Sequence, residues 1–235
     1  MKTAVLSGEP LRALLLAEGA DLVGFGDVSA LSPGQWTSCV SLAVRLPAST
    51  ICGISDGPSM DYFEQYHTLN AKLDQLSELA ASYIVKQGFH ALAQTTTAVA
   101  ESAGYHTPFP HKTCATRAGL GWVGKSALLV TPEFGPAVRL SSVLTDAAFD
   151  HPGQPVNASR CGDCARCRDH CPGGAIHGAL WDIATEREVL VDVDACRKAA
   201  RALAKERTGQ EITLCGKCIQ ICPYTQRYTK KEAAT

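Results

Sequence analysis

Three absences narrow the chain before any motif is read. No apolar run is long enough to span a bilayer, the first ten residues show no basic-then-apolar export pattern, and no twin arginine is present. These point away from a membrane role and towards the reducing cytoplasm, where thiols persist. Excess charge is also missing: 22 Lys and Arg against 23 Asp and Glu leave a net −1, which argues against a generally nucleic-acid-binding surface. Basic residues are dense only from Arg197 to Arg207 and from Arg227 to Lys231, which a solvated helix face and a charged tail account for.

Cysteine is not scarce. Eight of the 11 cysteines fall late in the chain, as Cys161-x2-Cys164-x2-Cys167-x3-Cys171-Pro172, then Cys196, then Cys215-x2-Cys218-x3-Cys222-Pro223. The first run matches the bacterial ferredoxin pattern, in which the fourth cysteine crosses to the other cluster. Two [4Fe–4S] clusters need eight thiolates, and the two runs supply seven, with Cys196 as the eighth. Interlacing assigns Cys161, Cys164, Cys167 and Cys222 to one cluster. Cys171, Cys196, Cys215 and Cys218 go to the other. Zinc sites usually close with four ligands and leave this spacing unexplained, and a disulfide framework suits a short secreted chain rather than this one.

At 235 residues and 46% apolar content the chain can bury one sizeable core beside a small cluster module. Pro10 to Gly19 reads as a short helix, Leu22–Phe25 and Cys39–Leu46 as strands, and the Gly/Ser-rich span 49–59 as a loop. Tyr62, Tyr66, Leu69, Leu73, Leu76, Ala80 and Tyr83 recur at steps of four and three, predicting a long amphipathic helix. Strands are predicted at Phe89–Gln94, Ser126–Thr131 and Ala137–Leu144, with the Glu133–Pro136 turn making the last two a hairpin. This mixture predicts an α+β fold, with residues 1–150 as one α/β domain and residues 151–235 as a ferredoxin-like two-cluster domain.

Gly119-Leu120-Gly121-Trp122-Val123-Gly124-Lys125-Ser126 satisfies both G-x-G-x-x-G and G-x4-G-K-[ST]. A phosphate loop must leave a buried strand and open a helix. Here a polar stretch, His111 to Arg117, comes before it and a strand-like Ala127 to Thr131 follows, so the order is inverted. What remains is a glycine-rich turn where backbone can approach a large ligand, with Lys125 and Arg117 near for its anionic groups.

Arg117 to Lys125, Glu133-Phe134-Gly135, Val143-Leu144-Thr145-Asp146 and the two cysteine runs, in that order, resemble the epoxyqueuosine reductase family, which is related to the reductive dehalogenases. The resemblance covers residues 60–225. It implies a nitroreductase-like or reductive dehalogenase-like α/β domain and a base-off cobalamin lying next to two [4Fe–4S] clusters. Arg117, Gly119, Gly121, Trp122, Gly124 and Lys125 would then be cofactor-binding. Electrons would come from a ferredoxin or flavodoxin and reach cobalt through the clusters, to reduce a small molecule or a modified nucleoside. No Asp-x-His-x-x-Gly motif is present, so a histidine-on corrinoid mode is not indicated.

Two departures stand out. The family's proton donor is an aspartate in Asp-[ST]-[AG]-Pro; counting back from Arg117 aligns its proline with Pro108 and its aspartate with Tyr105. Tyr105 is therefore a candidate proton donor, as in related dehalogenases, and packing on Pro108 or Pro110 is its plainer alternative. His106 and His111 are further candidates. Family members acting on transfer RNA continue into helical repeats, whereas only Tyr224 to Tyr228 and a charged tail follow Cys222 here, which weakens tRNA as the substrate. A rival reading is an electron-transfer protein that reduces a partner, such as a corrinoid protein, without holding cobalamin itself. His67, next to the long helix's apolar stripe, reads most simply as a boundary histidine; Cys39, Cys52 and Cys114 fall outside the ligand count and read as ordinary residues.

Overall fold

The computed structural model describes residues 5–31, 34, 36–96, 98, 105–107 and 109–234. Along the chain come β1 (Val5–Leu6), α1 (Gly8–Ala17), β2 (Leu22–Asp27), β3 (Ser38–Arg45), α2 (Ala48–Cys52), α3 (Met60–Lys86), β4 (Ala91–Ala93) and α4 (His111–Arg117). Four short or medium strands follow: β5 (Trp122–Val123), β6 (Leu129–Val130), β7 (Val138–Thr145) and β8 (Ala148–Phe149). The remainder is helical, with α5 (Arg166–Asp169), α6 (Arg187–Leu190), α7 (Val193–Thr208), α8 (Lys217–Gln220) and α9 (Pro223–Ala233). No helix among the described residues is long and apolar enough to cross a membrane.

The chain folds into two compact units, and each is discontinuous in sequence. Residues 1–44, 69–121 and 139–156 make the first; residues 45–68, 122–138 and 157–235 make the second. This differs from a single division between residues 150 and 151. The second unit draws in two upstream segments, because Ile54 and Tyr62 pack where the chain turns at Gly216.

In the first unit a four-stranded sheet has the order β2-β3-β7-β4. β2 and β3 run antiparallel, Leu22 opposite Ala43 and Asp27 opposite Ser38, and β4 pairs antiparallel with β7. Cys39 to Val44 are all buried, as expected of a strand covered on both faces. Leu11 and Leu15, one turn apart on α1, are fully buried; on α3 Leu69, Leu73, Leu76 and Ala80 of the predicted stripe are buried, while Tyr83 is half-buried and Ile84 takes the buried position beside it. A second cluster joins Val28, Cys39, Phe109, Cys114 and Leu144, with Trp36 against it.

Three local expectations change. Ser126–Thr131 and Ala137–Leu144 do not form a hairpin: β6 pairs antiparallel with β5, and the Glu133–Pro136 turn is closed only by an isolated bridge between Thr131 and Gly135. The tighter turn wins, closed by Ala127 N donating to Gly124 O at 2.9 Å and Gly124 N donating to Leu128 O at 2.8 Å. Residues 49–59 are not loop throughout, since α2 begins after Pro47, whose fixed φ of −56° suits a helix start. The strand at 89–94 is shorter, Ala91–Ala93.

Candidate iron–sulfur site

The second unit positions its thiols by short helices and turns. Cys161 and Cys164 lie in the loop before α5, Cys167 lies within α5, and Cys171 follows it. Cys196 sits on α7, whose start is fixed by Asp192 Oδ1 accepting from Ala195 N at 2.9 Å. Cys218 is on α8, and Cys222 is the N-cap of α9, in extended conformation before Pro223 at the first helical position. The Cys-Pro dipeptide thus ends one turn and launches the next helix with a thiol at the junction.

Each thiol's electrical neighbours sort the cysteines into two sets. Burial pushes the Cys167 thiol up to about 11, and the thiols of Cys161, Cys164 and Cys222 add to the effect. Cys222 is raised by burial and by Cys161 and Cys164, against the lowering pull of the Tyr224 and Thr225 amides. On the other side, Cys196 is raised by burial and then by Cys171 and Cys215. Burial also raises Cys218, followed by Cys215, Cys196, Cys167 and Cys171. The eight cysteines are all free thiols. Cys218 has Cys167 as well as Cys215, Cys196 and Cys171 among its neighbours, so the two groups of thiols touch there.

A cavity lined by Cys161, Cys164, Cys167, Cys218 and Cys222 opens within this unit, edged by Gly124, Lys125 and Tyr224. Val123, Ala127, Ala175, Ile176, Leu190 and Val191 form an apolar core against which Cys167, Cys171 and Cys218 pack. Crowded thiols in apolar surroundings resist ionising, so this donor set suits a metal centre that supplies positive charge. Among the described residues, no three His, Cys, Asp or Glu side chains converge as ligands of a single ion would.

The other candidate residues are dispersed. Tyr105 adopts left-handed backbone with φ 60°, uncommon for a side-chain-bearing residue, and its ring is 39% exposed. His106 is exposed, and Pro108, its neighbour in the resemblance, lies outside the described residues. His111, on the first turn of α4, is lowered to about 4 by burial and by the Arg139 guanidinium, against the opposing pull of Asp74. Gln94 Nε2 donates to Ser142 Oγ at 2.6 Å, and the same hydroxyl lies 2.8 Å from His111 Nδ1. At neutral pH His111 is uncharged and is a poor proton source. His67 is exposed, its ring edge-on to Phe63 and Tyr66.

Within the glycine-rich turn, Arg117 Nε donates to Asp27 O at 3.0 Å, and Gly121, Trp122, Gly124 and Lys125 are buried. A β-carbon on Gly119 would come within 2.8 Å of Gln154 O, and one on Gly124 within 2.8 Å of Val130 Cγ2. The space these two glycines provide is filled by the chain itself, so neither forms an open cradle for a corrin. The turn joins two strands, and no helix opens after it, which removes the phosphate-loop reading. Cys39 and Cys114 are buried together, with Cys39 Sγ donating to Cys114 O at 3.7 Å, whereas Cys52 is exposed at the end of α2.

Residues 160–225 match the family of 4Fe-4S double cluster binding domains. This segment is similar to two-cluster iron–sulfur domains. The chain is similar to epoxyqueuosine reductases: 34% identical over 108 residues to that of Bacillus anthracis, covering 46% of this chain and 27% of that protein. For the Lactococcus garvieae protein of the same name the figures are 29% over 170 residues, 69% and 42%. The chain thus spans well under half the length of these curated relatives. Among solved structures, a catabolic reductive dehalogenase in complex with 3-bromo-4-hydroxybenzoic acid superimposes with TM-score 0.70 at 20% identity, covering 92% of this chain and 31% of the other. An epoxyqueuosine reductase with an epoxyqueuosine-modified tRNA stem loop gives TM-score 0.59 at 20% identity, covering 93% and 65%. At this identity the shared property is the mixed α/β fold.

Proposed function

We propose that the chain is an iron–sulfur reductase of epoxyqueuosine reductase type. Cys161, Cys164, Cys167 and Cys222 hold its first [4Fe–4S] cluster, and Cys171, Cys196, Cys215 and Cys218 its second. The reading is supported by eight free thiols at ferredoxin-type spacing that crowd one another. When bound, such clusters take and release one electron each, at potentials that reach very low values. The apolar core of Val123, Ile176 and Leu190 excludes water beside Cys167, Cys171 and Cys218. Cys196, exposed on α7, is the side from which a ferredoxin- or flavodoxin-type donor reaches the second set. The acceptor in this reading is a base-off corrinoid, in keeping with the reductive dehalogenase relative whose structure suggests a mechanism for B12-dependent dehalogenation. The substrate class is a modified nucleoside, free or in tRNA, or another small molecule, and Tyr105 Oη is the proton source.

A second reading is favoured by the occupied space beside Gly119 and Gly124: a protein that passes electrons to a partner and holds no cobalamin. Anaerobic reconstitution with iron, sulfide and cobalamin separates the two. A stoichiometric complex with a base-off spectrum supports the reductase, full iron loading without cobalamin supports the carrier, and failure to load iron–sulfur clusters sinks both.

A further inference from the structure

The turn between β5 and β6 places a lysine where lysines are seldom found. Lys125 is only 7% exposed, and it lines the same cavity as Cys161, Cys164, Cys167 and Cys222. A lysine with so little exposed surface is usually paired with an anion, and its ammonium, unlike Trp122 Nε1, is not sealed from water. Among the described residues Lys125 has neither an ion pair nor a side-chain hydrogen bond. The turn itself is closed by Ala127 N donating to Gly124 O and by Gly124 N donating to Leu128 O. Between these bonds the amides of Lys125 and Ser126 find no carbonyl acceptor among the described residues. Both residues line the cysteine cavity. Backed by Val130 and within 3.6 Å of the Cys161 Sγ, the β-carbon position of Gly124 leaves no room for a side chain that would push the turn away.

One cation and two amide donors are thus left without a protein partner at the edge of a thiol cavity. We propose that Lys125, with the Lys125 and Ser126 amides, is a positioning group for the first cluster: it faces the sulfur-rich anion that Cys161, Cys164, Cys167 and Cys222 hold, and raises its reduction potential. The inference rests on the two-cluster reading above and deepens it. A cluster with four thiolates is an anion whose negative charge grows by one when it takes an electron; no bond is made or broken in that step. A fixed positive charge and N–H donors to sulfur stabilise the reduced form more than the oxidised one, and net charge and hydrogen bonds to the sulfurs are the levers that set such potentials. No equivalent lysine is found among residues lining this cavity, where Lys125 is the one basic side chain. The role differs from the corrin contact that the resemblance implies for Lys125.

The test is a redox titration of the anaerobically reconstituted protein, followed by electron paramagnetic resonance, comparing wild type with Lys125→Met, Lys125→Gln and Lys125→Arg. Signals are assigned with Cys196→Ser, which disturbs the second set alone. In both neutral variants the first cluster should become at least tenfold harder to reduce at a given potential, a fall of 59 mV for one electron. The second cluster should stay put, and Lys125→Arg should hold close to wild type. Loss of only the first cluster in both neutral variants, with normal loading in Lys125→Arg, also supports the role of the charge. Fully loaded neutral variants with unchanged potentials, equal shifts at both clusters, or loss of the first cluster in Lys125→Arg as well would each overturn it. Failure of the wild type to load clusters would instead strike at the two-cluster reading.

Discussion

The Trp122 indole stands edge-on to the Tyr224 ring, with centroids 5.0 Å apart and planes at 75°. Trp122 is 1% exposed, and its Nε1 has no hydrogen-bond partner, while the Arg160 guanidinium lies over the ring. The contact ties β5 to the residues just after Cys222. Trp122→Ala should cost about 3–5 kcal/mol, typical of removing a large buried aromatic. It should also reduce iron retention at the first set. Trp122→Phe keeps the edge-on packing and gives up no protein hydrogen bond, so thermal unfolding should show a much smaller loss, with iron content near wild type.

Gly216 separates Cys215 from α8 with φ at +81°, and a β-carbon there would fall 2.6 Å from Ile54 Cδ1 and 2.9 Å from the Tyr62 ring. Gly216→Ala therefore meets both left-handed strain, about 1–2 kcal/mol, and a collision with two side chains that hold the unit together. Iron analysis should show preferential loss from the second set, to which Cys215 and Cys218 belong.

Removing single thiols should reveal the interlacing. Cys222→Ser and Cys161→Ser should damage the same paramagnetic signal, although they are far apart in sequence, whereas Cys171→Ser should damage the signal that Cys196→Ser does. If Cys171→Ser instead matches Cys161→Ser, each run holds its own cluster and the crossing is wrong.

His111 supplies a pH prediction. Its folded value is lowered to about 4, against about 6.5 when unfolded. Above pH 6.5 the ring is neutral in both states. As pH falls towards 4 the unfolded chain binds the proton first, so this residue's stabilising contribution is lost across that window. In 15N-resolved NMR the ring should remain neutral down to about pH 4, with Ser142 Oγ held 2.8 Å from Nδ1. A titration near 6.5 would contradict the buried arrangement.

Tyr105 is tested separately from the clusters. With a turnover assay in hand, Tyr105→Phe should cut the rate sharply and leave iron content and cofactor binding intact. An unchanged rate would reject the phenol as donor, and His106 would be next, given its exposure.

Which parts were legible in sequence follows from range. The double-cluster segment was readable because ligand spacing is local. The stripe on α3 was readable because 27 residues carry many turns of period. The β5–β6 hairpin was not, since two-residue strands have no period to detect. The membership of residues 45–68 in the second unit depends on Ile54 and Tyr62 meeting Gly216, a contact between positions remote in sequence that no local pattern announces. Lys125 illustrates a subtler miss: a glycine-lysine turn signals an anion, but its chemistry alone does not say whether phosphate, corrin or sulfur cluster supplies it.

The distance along the chain between Cys167 and Cys222, both assigned to the proposed first cluster, imposes an order on biogenesis. Cys161, Cys164 and Cys167 emerge from the ribosome well before Cys222, and Cys222 is fixed at the start of α9. The first set therefore stays a three-thiol site until almost all of the described chain has been made, and iron delivery to it must wait for synthesis to pass residue 222. A chain interrupted before that point lacks one of the four thiols proposed for that cluster.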